Sequence, residues 1–191
     1  MKLWPTKLWK QILVVLAIVF IILIVVFAAF AGLLMAGIIG GEVVSEVKVM
    51  NTDGLKTALV VYQPGFSNFP KDVSYAFADG LVSSDWQVEI TTASSQTPFE
   101  LSKYGLLVLA YPVYGGTPGS AIVKYVDRLG NLNGINTIII ACAGGDSGES
   151  IIPLRQQVEE ANGVFLISMA LSNQVGSSIE EARQAGSNIN P

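Results

Sequence analysis

The feature that most limits how this chain can fold is an uninterrupted run of apolar residues near its N-terminus. Every residue from Ile12 to Ala31 is apolar, and no charge follows until Glu42. About 20 such residues, at about 1.5 Å rise each, make a helix that crosses a hydrocarbon core of about 30 Å. A domain of this size has no core that could hide every face of such a helix. The run therefore predicts a membrane span.

The residues around the run predict its orientation in the membrane and whether it is cleaved. Lys2, Lys7 and Lys10 precede it, and the positive-inside rule then places the N-terminus in the cytoplasm and the rest of the chain outside. Ala29-Phe30-Ala31 also has the small-x-small form of a signal-peptide cleavage site. The apolar stretch is longer than the core of about 7–15 residues typical of signal peptides, and it continues to Met35. An uncleaved, single-pass anchor is favoured over a signal peptide.

The chain divides by composition into three parts. Residues 1–40 form the predicted anchor, and residues 41–56 mix glycine, charge and polar residues as a linker does, with a short strand expected at Val43–Val49. Residues 57–191 have the composition of an ordinary globular domain.

Short β-rich runs alternate with helical patterns along this domain. Runs rich in β-branched residues predict strands that are buried on both faces of a parallel sheet. The predicted strands are Thr57–Tyr62, Trp86–Thr92, Leu106–Tyr111, Asn136–Ala141 and Val164–Met169. Apolar residues spaced three and four apart predict helices at Asn68–Val82, Pro118–Leu129, Glu149–Ala161 and Ser178–Ala185.

This alternation predicts an α/β domain with a doubly wound parallel sheet. Helices then cover both faces, and ligands bind outside the carboxyl ends of the strands. The loops at that edge are Gln63–Asn68, Pro112–Thr117 and Ala143–Gly148, all rich in glycine or small polar residues.

Several kinds of chemistry are excluded by what the chain lacks. It has no histidine and a single cysteine, Cys142, so the usual general base, cysteine-based metal clusters and an intrachain disulfide are all absent. We predict neither a catalytic residue nor a metal ligand. From Thr57 onward, six Lys or Arg stand against twelve Asp or Glu. An acidic domain of this kind predicts no nucleic-acid partner, because binding phosphates along a strand needs a basic face.

Two of the loops suggest ligand contacts, and each has a plainer interpretation. Gln63–Asn68 leads into a helix N-terminus, where free backbone amides can receive a phosphate, but any tight strand-to-helix turn uses such residues. Tyr114 is followed by Gly115 and Gly116, which leaves room for a flat ring to stack on its face. Alternatively, Tyr114 covers the sheet edge and the glycines form a turn before Pro118.

Tyr62, the loop Pro112-Val113-Tyr114-Gly115-Gly116, and the strand end Ala141-Cys142-Ala143-Gly144-Gly145 occur in an order and spacing that resemble the flavodoxin-like family. The resemblance covers about Lys56 to Ile189. It implies five parallel strands in the order 2-1-3-4-5, with FMN at the switch between strands one and three. It also implies the following cofactor contacts: Gln63, Gly65, Phe66, Ser67 and Asn68 around the phosphate, Pro112, Val113, Tyr114, Gly115 and Gly116 beside the ring with Tyr114 stacked on it, and Ala143, Gly144, Gly145 and Asp146 along its other edge.

The phosphate loop departs from the family's pattern. That pattern has the form Thr/Ser-x-Thr-Gly-x-Thr, while Gln63–Asn68 is about two residues longer before its helix and contains one hydroxyl, that of Ser67. Two functions follow. The first is a membrane-tethered protein that binds FMN and passes electrons, with the bilayer and a redox protein as partners. The alternative is a domain of the same fold without tight flavin binding, which acts as a binding or scaffolding module at the membrane surface.

Overall fold

The computed structural model describes residues 6–39, 42–145 and 148–191. The chain forms two compact units, Met1–Gly40 and Gly41–Pro191. Asp146, one of the predicted cofactor contacts, lies outside the described residues.

The first unit contains one long helix, α1 (Thr6–Ile39). Within it, Trp9–Gly32 is long enough and apolar enough to cross a membrane, and it covers the predicted span Ile12–Ala31. All side chains from Trp9 to Phe30 are exposed. By length and composition, such a helix suits both a membrane span and a signal sequence.

The second unit is built on one six-stranded sheet. Its strands are β1 (Lys48–Met50), β2 (Lys56–Tyr62), β3 (Trp86–Thr92), β4 (Tyr104–Pro112), β5 (Asn136–Ala143) and β6 (Val164–Ser172). They lie in the order β1-β3-β2-β4-β5-β6. Strands β2 to β6 are mutually parallel, and β1 pairs antiparallel with the outer edge of β3.

The predicted doubly wound parallel sheet is confirmed, since β2 to β6 are the five predicted strands in the order 2-1-3-4-5. The expected count of five strands was short by one, because β1 adds an antiparallel strand at the edge. That strand had been expected at Val43–Val49 and forms instead at Lys48–Met50, where three residues pair with β3. Trp86–Thr92 was predicted to the residue.

The helices follow the predicted pattern with small shifts at their ends. They are α2 (Phe69–Ser83), α3 (Ser120–Leu129), α4 (Ile151–Glu160) and α5 (Ser178–Ser187), and a 3-10 turn at Gly148–Ser150 leads into α4. Asn68 is the N-cap of α2 but makes no side-chain cap bond. Helix α3 begins two residues after the predicted Pro118, because Gly119 at its N-cap has an extended backbone with ψ of 135°.

The alternating side chains of the central strands feed two separate cores, one on each face of the sheet. Along β4, Leu106 and Val108 belong to the core beneath α2 and α5, while Leu107 and Leu109 belong to the core beneath α3 and α4. Because both faces of the sheet are covered, β2 is apolar and buried from Ala58 to Tyr62, and β4 is apolar along its length, as parallel sheets require.

The segment that leads into the domain is fastened to the carboxyl end of β3. The Thr92 hydroxyl donates to the Val43 carbonyl at 2.5 Å, and the Thr92 amide donates to the Ser45 hydroxyl at 3.0 Å. The Ser95 amide donates to the Glu42 carboxylate. Residues 42–45 are therefore bonded to the end of β3 and the residues that follow it, and Lys48–Met50 pairs with the edge of β3.

Candidate functional site

Three strand-to-helix loops and one further loop meet at the carboxyl edge of the sheet and enclose a cleft of about 210 Å³. The loops after β2, β4 and β5 contribute most of its wall, as the order of the strands predicts. The residues that line the cleft are Gly65, Phe66, Ser67, Phe69, Pro70, Pro112, Val113, Tyr114, Cys142, Ala143, Gly144 and Asn173.

Asn173, which follows β6, was not predicted as a site residue. Its amide donates to the Ala143 carbonyl at 3.0 Å, which joins the loop after β6 to the loop after β5. Its position directly after a predicted parallel strand is a signal that could have found it, because every such strand end reaches this edge of the sheet.

Gln63 is buried beneath the loop rather than open to the cleft. Only 2% of the residue is exposed. Its side-chain oxygen accepts hydrogen bonds from the amides of Ala121 at 2.9 Å and Ile122 at 3.3 Å. Those amides belong to the first turn of α3, whose own N-cap, Gly119, has no side chain to satisfy them. Gln63 therefore caps α3 from a neighbouring loop.

The rest of this loop presents its backbone at the start of α2. Phe66, Ser67 and Asn68 are exposed. The Ser67 hydroxyl lies 3.4 Å from the Phe69 amide and accepts a long hydrogen bond from it. In the part of the chain that the structure describes, the amides of Gly65, Ser67 and Asn68 donate no hydrogen bond. The N-terminus of a 15-residue helix with unused amides is suited to an anion.

The loop after β4 contains a two-residue hairpin turn at Gly115–Gly116. The Tyr114 amide donates to the Thr117 carbonyl at 3.3 Å, and the Thr117 amide donates to the Tyr114 carbonyl at 3.2 Å. Gly115 and Gly116 have φ of 59° and 78°. Positive φ at both central residues is what a type I′ turn requires, which accounts for the pair of glycines. The glycines thus form the turn that the plainer interpretation expected.

Tyr114 lies on the same edge as Ser67 and faces the loop after β2. Its hydroxyl accepts a hydrogen bond from the Phe66 amide at 2.9 Å. Its ring packs edge-on against the Phe66 ring, with centroids 5.1 Å apart and planes at 85°. A Cβ at Gly65 would lie 2.9 Å from the Tyr114 hydroxyl oxygen, so the close approach depends on glycine there.

The third wall of the cleft has little side-chain bulk. Gly144 and Gly145 are exposed, and the space around a Cβ at Gly145 is open to at least 4 Å. The Cys142 carbonyl accepts from the Val113 amide at 2.9 Å, which holds the loops after β4 and β5 side by side. Pro112 is buried and Val113 is half-buried between them.

The base of the cleft carries no charge near neutral pH. Burial raises the pKa of the Cys142 thiol to about 12. Burial also raises the pKa of Tyr111 to about 12, although its hydroxyl donates to the Ser150 carbonyl at 3.1 Å. Among the described residues, no group of three or more Cys, Asp or Glu could hold a metal ion. The cleft can therefore bind and orient a ligand, but its described groups offer no activated nucleophile.

Comparisons with known proteins identify the fold. No family model matches the chain, and no curated protein matches its sequence. Solved structures do match it. A flavodoxin from the domain Archaea superposes with a TM-score of 0.60 at 18% identity, over 70% of this chain and 95% of that one.

Two further structures show the same likeness. The two-electron reduced flavodoxin of Megasphaera elsdenii has a TM-score of 0.59 at 15% identity, over 69% of this chain and 99% of that one. An azoreductase from Bacillus anthracis has a TM-score of 0.57 at 10% identity, over 71% of this chain and 100% of that one. At these identities the likeness establishes the flavodoxin-like fold of the second unit.

Proposed function

We propose that this chain is a membrane-tethered protein that binds FMN in the cleft at the carboxyl edge of its sheet and passes electrons to and from it. The observation that supports this most is the meeting of the loops after β2, β4 and β5 around one cleft, with unused amides at the start of α2 and an aromatic ring opposite them. In a doubly wound sheet of this order, that edge is where ligands bind.

The proposed contacts with FMN follow from the residues around the cleft. The amides of Gly65, Ser67 and Asn68, together with the Ser67 hydroxyl, would hold the phosphate at the start of α2. Tyr114 would stack on the ring, and Ala143, Gly144 and Gly145 would lie along its other edge. Gln63 is not among the proposed contacts, because its side chain is already bound to α3.

Bound FMN would supply the electron-transfer chemistry, while this chain would set its position and surroundings. The uncharged thiol of Cys142 in the lining of the cleft suits the uncharged part of a planar ring. The Gly115–Gly116 turn places Tyr114 at the mouth of the cleft, and its two glycines add no side chains there.

The first unit would act as the anchor. We propose that Ile12–Ala31 spans the bilayer and is retained, with the N-terminus in the cytoplasm and the domain outside, and that residues 41–56 connect it to the domain at 57–191. The supporting features are the length of the exposed apolar helix and the three lysines ahead of it. Retention of the protein in membranes after alkaline carbonate washing, with an intact N-terminus, is the expected result. A mature N-terminus at Gly32 would contradict it.

A second function has its own support. The cleft of about 210 Å³ is smaller than the roughly 300–1,000 Å³ of most small-molecule sites, and the Phe66 amide is already bound to Tyr114. These features favour a domain without tight flavin binding that serves as a binding or scaffolding module at the membrane surface.

The deciding measurement is the visible absorption of the full-length protein purified in detergent, followed by titration with FMN. We expect flavin bands or saturable binding at micromolar FMN. Tyr114→Ala should weaken binding by roughly 1–3 kcal/mol, by analogy with the stacking of bases on aromatic side chains. Phe99→Ala is the matched control, because Phe99 is an exposed aromatic outside the cleft. The absence of flavin affinity at micromolar FMN would leave the binding module as the better account.

A further inference from the structure

The Tyr114 hydroxyl is bound to a backbone amide of the loop that leads into α2, where the proposed function would place the ligand phosphate. It accepts a hydrogen bond from the Phe66 amide at 2.9 Å, and the two residues are 48 positions apart in the sequence. A neutral oxygen held by a loop amide at a helix N-terminus takes the place that a phosphate oxygen takes in anion sites. The neighbouring amides of Ser67 and Asn68 donate to no group in the described part of the chain. Of the consecutive amides at positions 66–68, the first is therefore already satisfied.

The backbone conformation of both loops supports this contact between the Tyr114 hydroxyl and the Phe66 amide. The missing Cβ at Gly65 makes room for the hydroxyl, which would otherwise lie 2.9 Å from it. The Gly115–Gly116 turn fixes the backbone of Tyr114, and the edge-on contact with the Phe66 ring holds the aromatic group in place. Both loops contribute glycine where the contact needs it.

We propose that the Tyr114 hydroxyl competes with ligand phosphate for the Phe66 amide, so that Tyr114 determines how strongly the cleft distinguishes phosphorylated from unphosphorylated flavin. This inference rests on the proposed flavin site and deepens it. The aromatic ring and the hydroxyl then have opposite effects on FMN. The ring favours binding through stacking, whereas the hydroxyl must give up its hydrogen bond before the phosphate can use the amide.

The two effects are separated by Tyr114→Phe, which keeps the ring and removes the hydroxyl. Dissociation constants for FMN and riboflavin would be measured by calorimetric titration of the full chain in detergent micelles. Riboflavin has no phosphate, so its affinity should not change. FMN affinity should rise about two- to tenfold, the range set by the net contribution of one hydrogen bond. Tyr75→Phe removes a hydroxyl outside the cleft and should change neither value.

A second measurement needs no flavin. The amide resonance of Phe66 would be followed by NMR while inorganic phosphate is added to the wild type and to Tyr114→Phe. We expect the variant to respond at a phosphate concentration about two- to tenfold lower, because its amide is free. The starting resonance of Phe66 should also differ between the two proteins.

The outcomes distinguish this inference from the proposed function. If neither flavin binds but the Phe66 amide of Tyr114→Phe responds to less phosphate than the wild type, the flavin function fails and the competition stands. If FMN binds the wild type and the FMN-to-riboflavin affinity ratio is the same in Tyr114→Phe, the competition is overturned and the flavin function stands. A Phe66 amide that ignores phosphate in both proteins, with no flavin bound, overturns both.

Discussion

The base of the cleft and its rim are built in opposite ways. We define the base as the buried layer beneath the cleft, formed by Gln63, Tyr111, Gly119 and Cys142, of which Cys142 lines the cleft itself. We define the rim as Gly65–Asn68, Gly115–Gly116 and Gly144–Gly145, most of which is exposed. In the base, Gln63 and Tyr111 bond to backbone groups of α3 and of the turn before α4. In the rim, several amides donate to nothing within the described residues.

The difference separates residues that hold the fold from exposed residues that would meet a ligand in the proposed function. Polar groups in the base satisfy backbone groups that would otherwise be buried without a partner, and removing them carries a full desolvation cost. The rim contributes little to stability, so its sequence can change while the sheet edge stays intact. A flavodoxin-like fold with an altered loop after β2 is the expected result of such a division.

The largest effect should come from Gln63→Leu, which leaves the Ala121 and Ile122 amides without their acceptor. Each buried, unsatisfied amide costs about 1–3 kcal/mol, so we expect the free energy of unfolding to fall by about 2–4 kcal/mol. Urea unfolding of the full chain in detergent, followed by circular dichroism, measures the change. A loss below about 0.5 kcal/mol would show that Gln63 does not cap α3, and the base would then resemble the rim.

Gly119→Ala should be the next most costly change. A Cβ at this position would lie 2.3 Å from the Gln63 side-chain oxygen, which has no free space into which to retreat. Overpacking of this kind typically costs about 1–3 kcal/mol.

A second experiment tests whether the clash with Gln63 causes the stability loss of Gly119→Ala. In a double-mutant cycle with Gln63→Ala, the smaller side chain leaves room for the new methyl group. The stability loss of the double mutant should therefore be smaller than the sum of the losses of the two single mutants. Strict additivity in urea unfolding would mean that the clash lies elsewhere.

The base should also contribute to the response of stability to alkaline pH, beside Tyr104 and Tyr125, whose pKa values burial also raises. Burial raises the folded-state pKa of Cys142 to about 12, above an unfolded value near 8.5. The unfolded state therefore loses its proton first. The stabilising contribution is complete below about pH 8.5 and is lost as the pH rises toward 12.

Cys142→Ala should remove this contribution. Between pH 9.5 and 11, its free energy of unfolding should fall less steeply than that of the wild type, by up to about 1.4 kcal/mol per pH unit. The buried tyrosines are present in both proteins, so their titration affects both slopes equally and serves as the internal control. Equal slopes would show that the thiol is solvated in the folded protein.

The smallest change in stability is expected for Ser67→Ala in the rim. Its hydroxyl makes one long hydrogen bond, so the free energy of unfolding should stay within about 0.5 kcal/mol of the wild type. FMN binding should nevertheless weaken by about 0.5–1.5 kcal/mol if this hydroxyl contacts the phosphate. Ser102→Ala, an exposed serine outside the cleft, is the control. A variant with full FMN affinity would remove Ser67 from the proposed site.

Regular periodicity made most of the fold predictable. Strands such as Trp86–Thr92 are visible in the sequence because burial on both faces of a sheet requires short runs rich in β-branched residues. Helices such as α2 are visible because burial on one helix face repeats with a fixed period. Strand β1 was placed too early because its position depends on pairing with β3 rather than on its own residues.

The candidate site was predictable only to the level of its loops. That three loops gather at one edge follows from parallel strands, and the cleft lies there. Asn173 was not predicted because it follows the last strand, whereas the glycine-rich and small polar loops follow the first, third and fourth predicted strands. The roles of single side chains within the loops depend on contacts between positions far apart in the chain.

The sequence by itself therefore determined the apolar N-terminal helix, the alternation of strands and helices, and the edge of the sheet at which a ligand would bind. Those features depend on local composition, on short β-rich runs and on the 3.6-residue period of helices, which are properties of the chain alone. Only the tertiary structure decided that Gln63 turns inward to cap α3 and that Tyr114 reaches across to the Phe66 amide. The two contacts join residues 58 and 48 positions apart, and such pairings exist only once the sheet has brought the loops together.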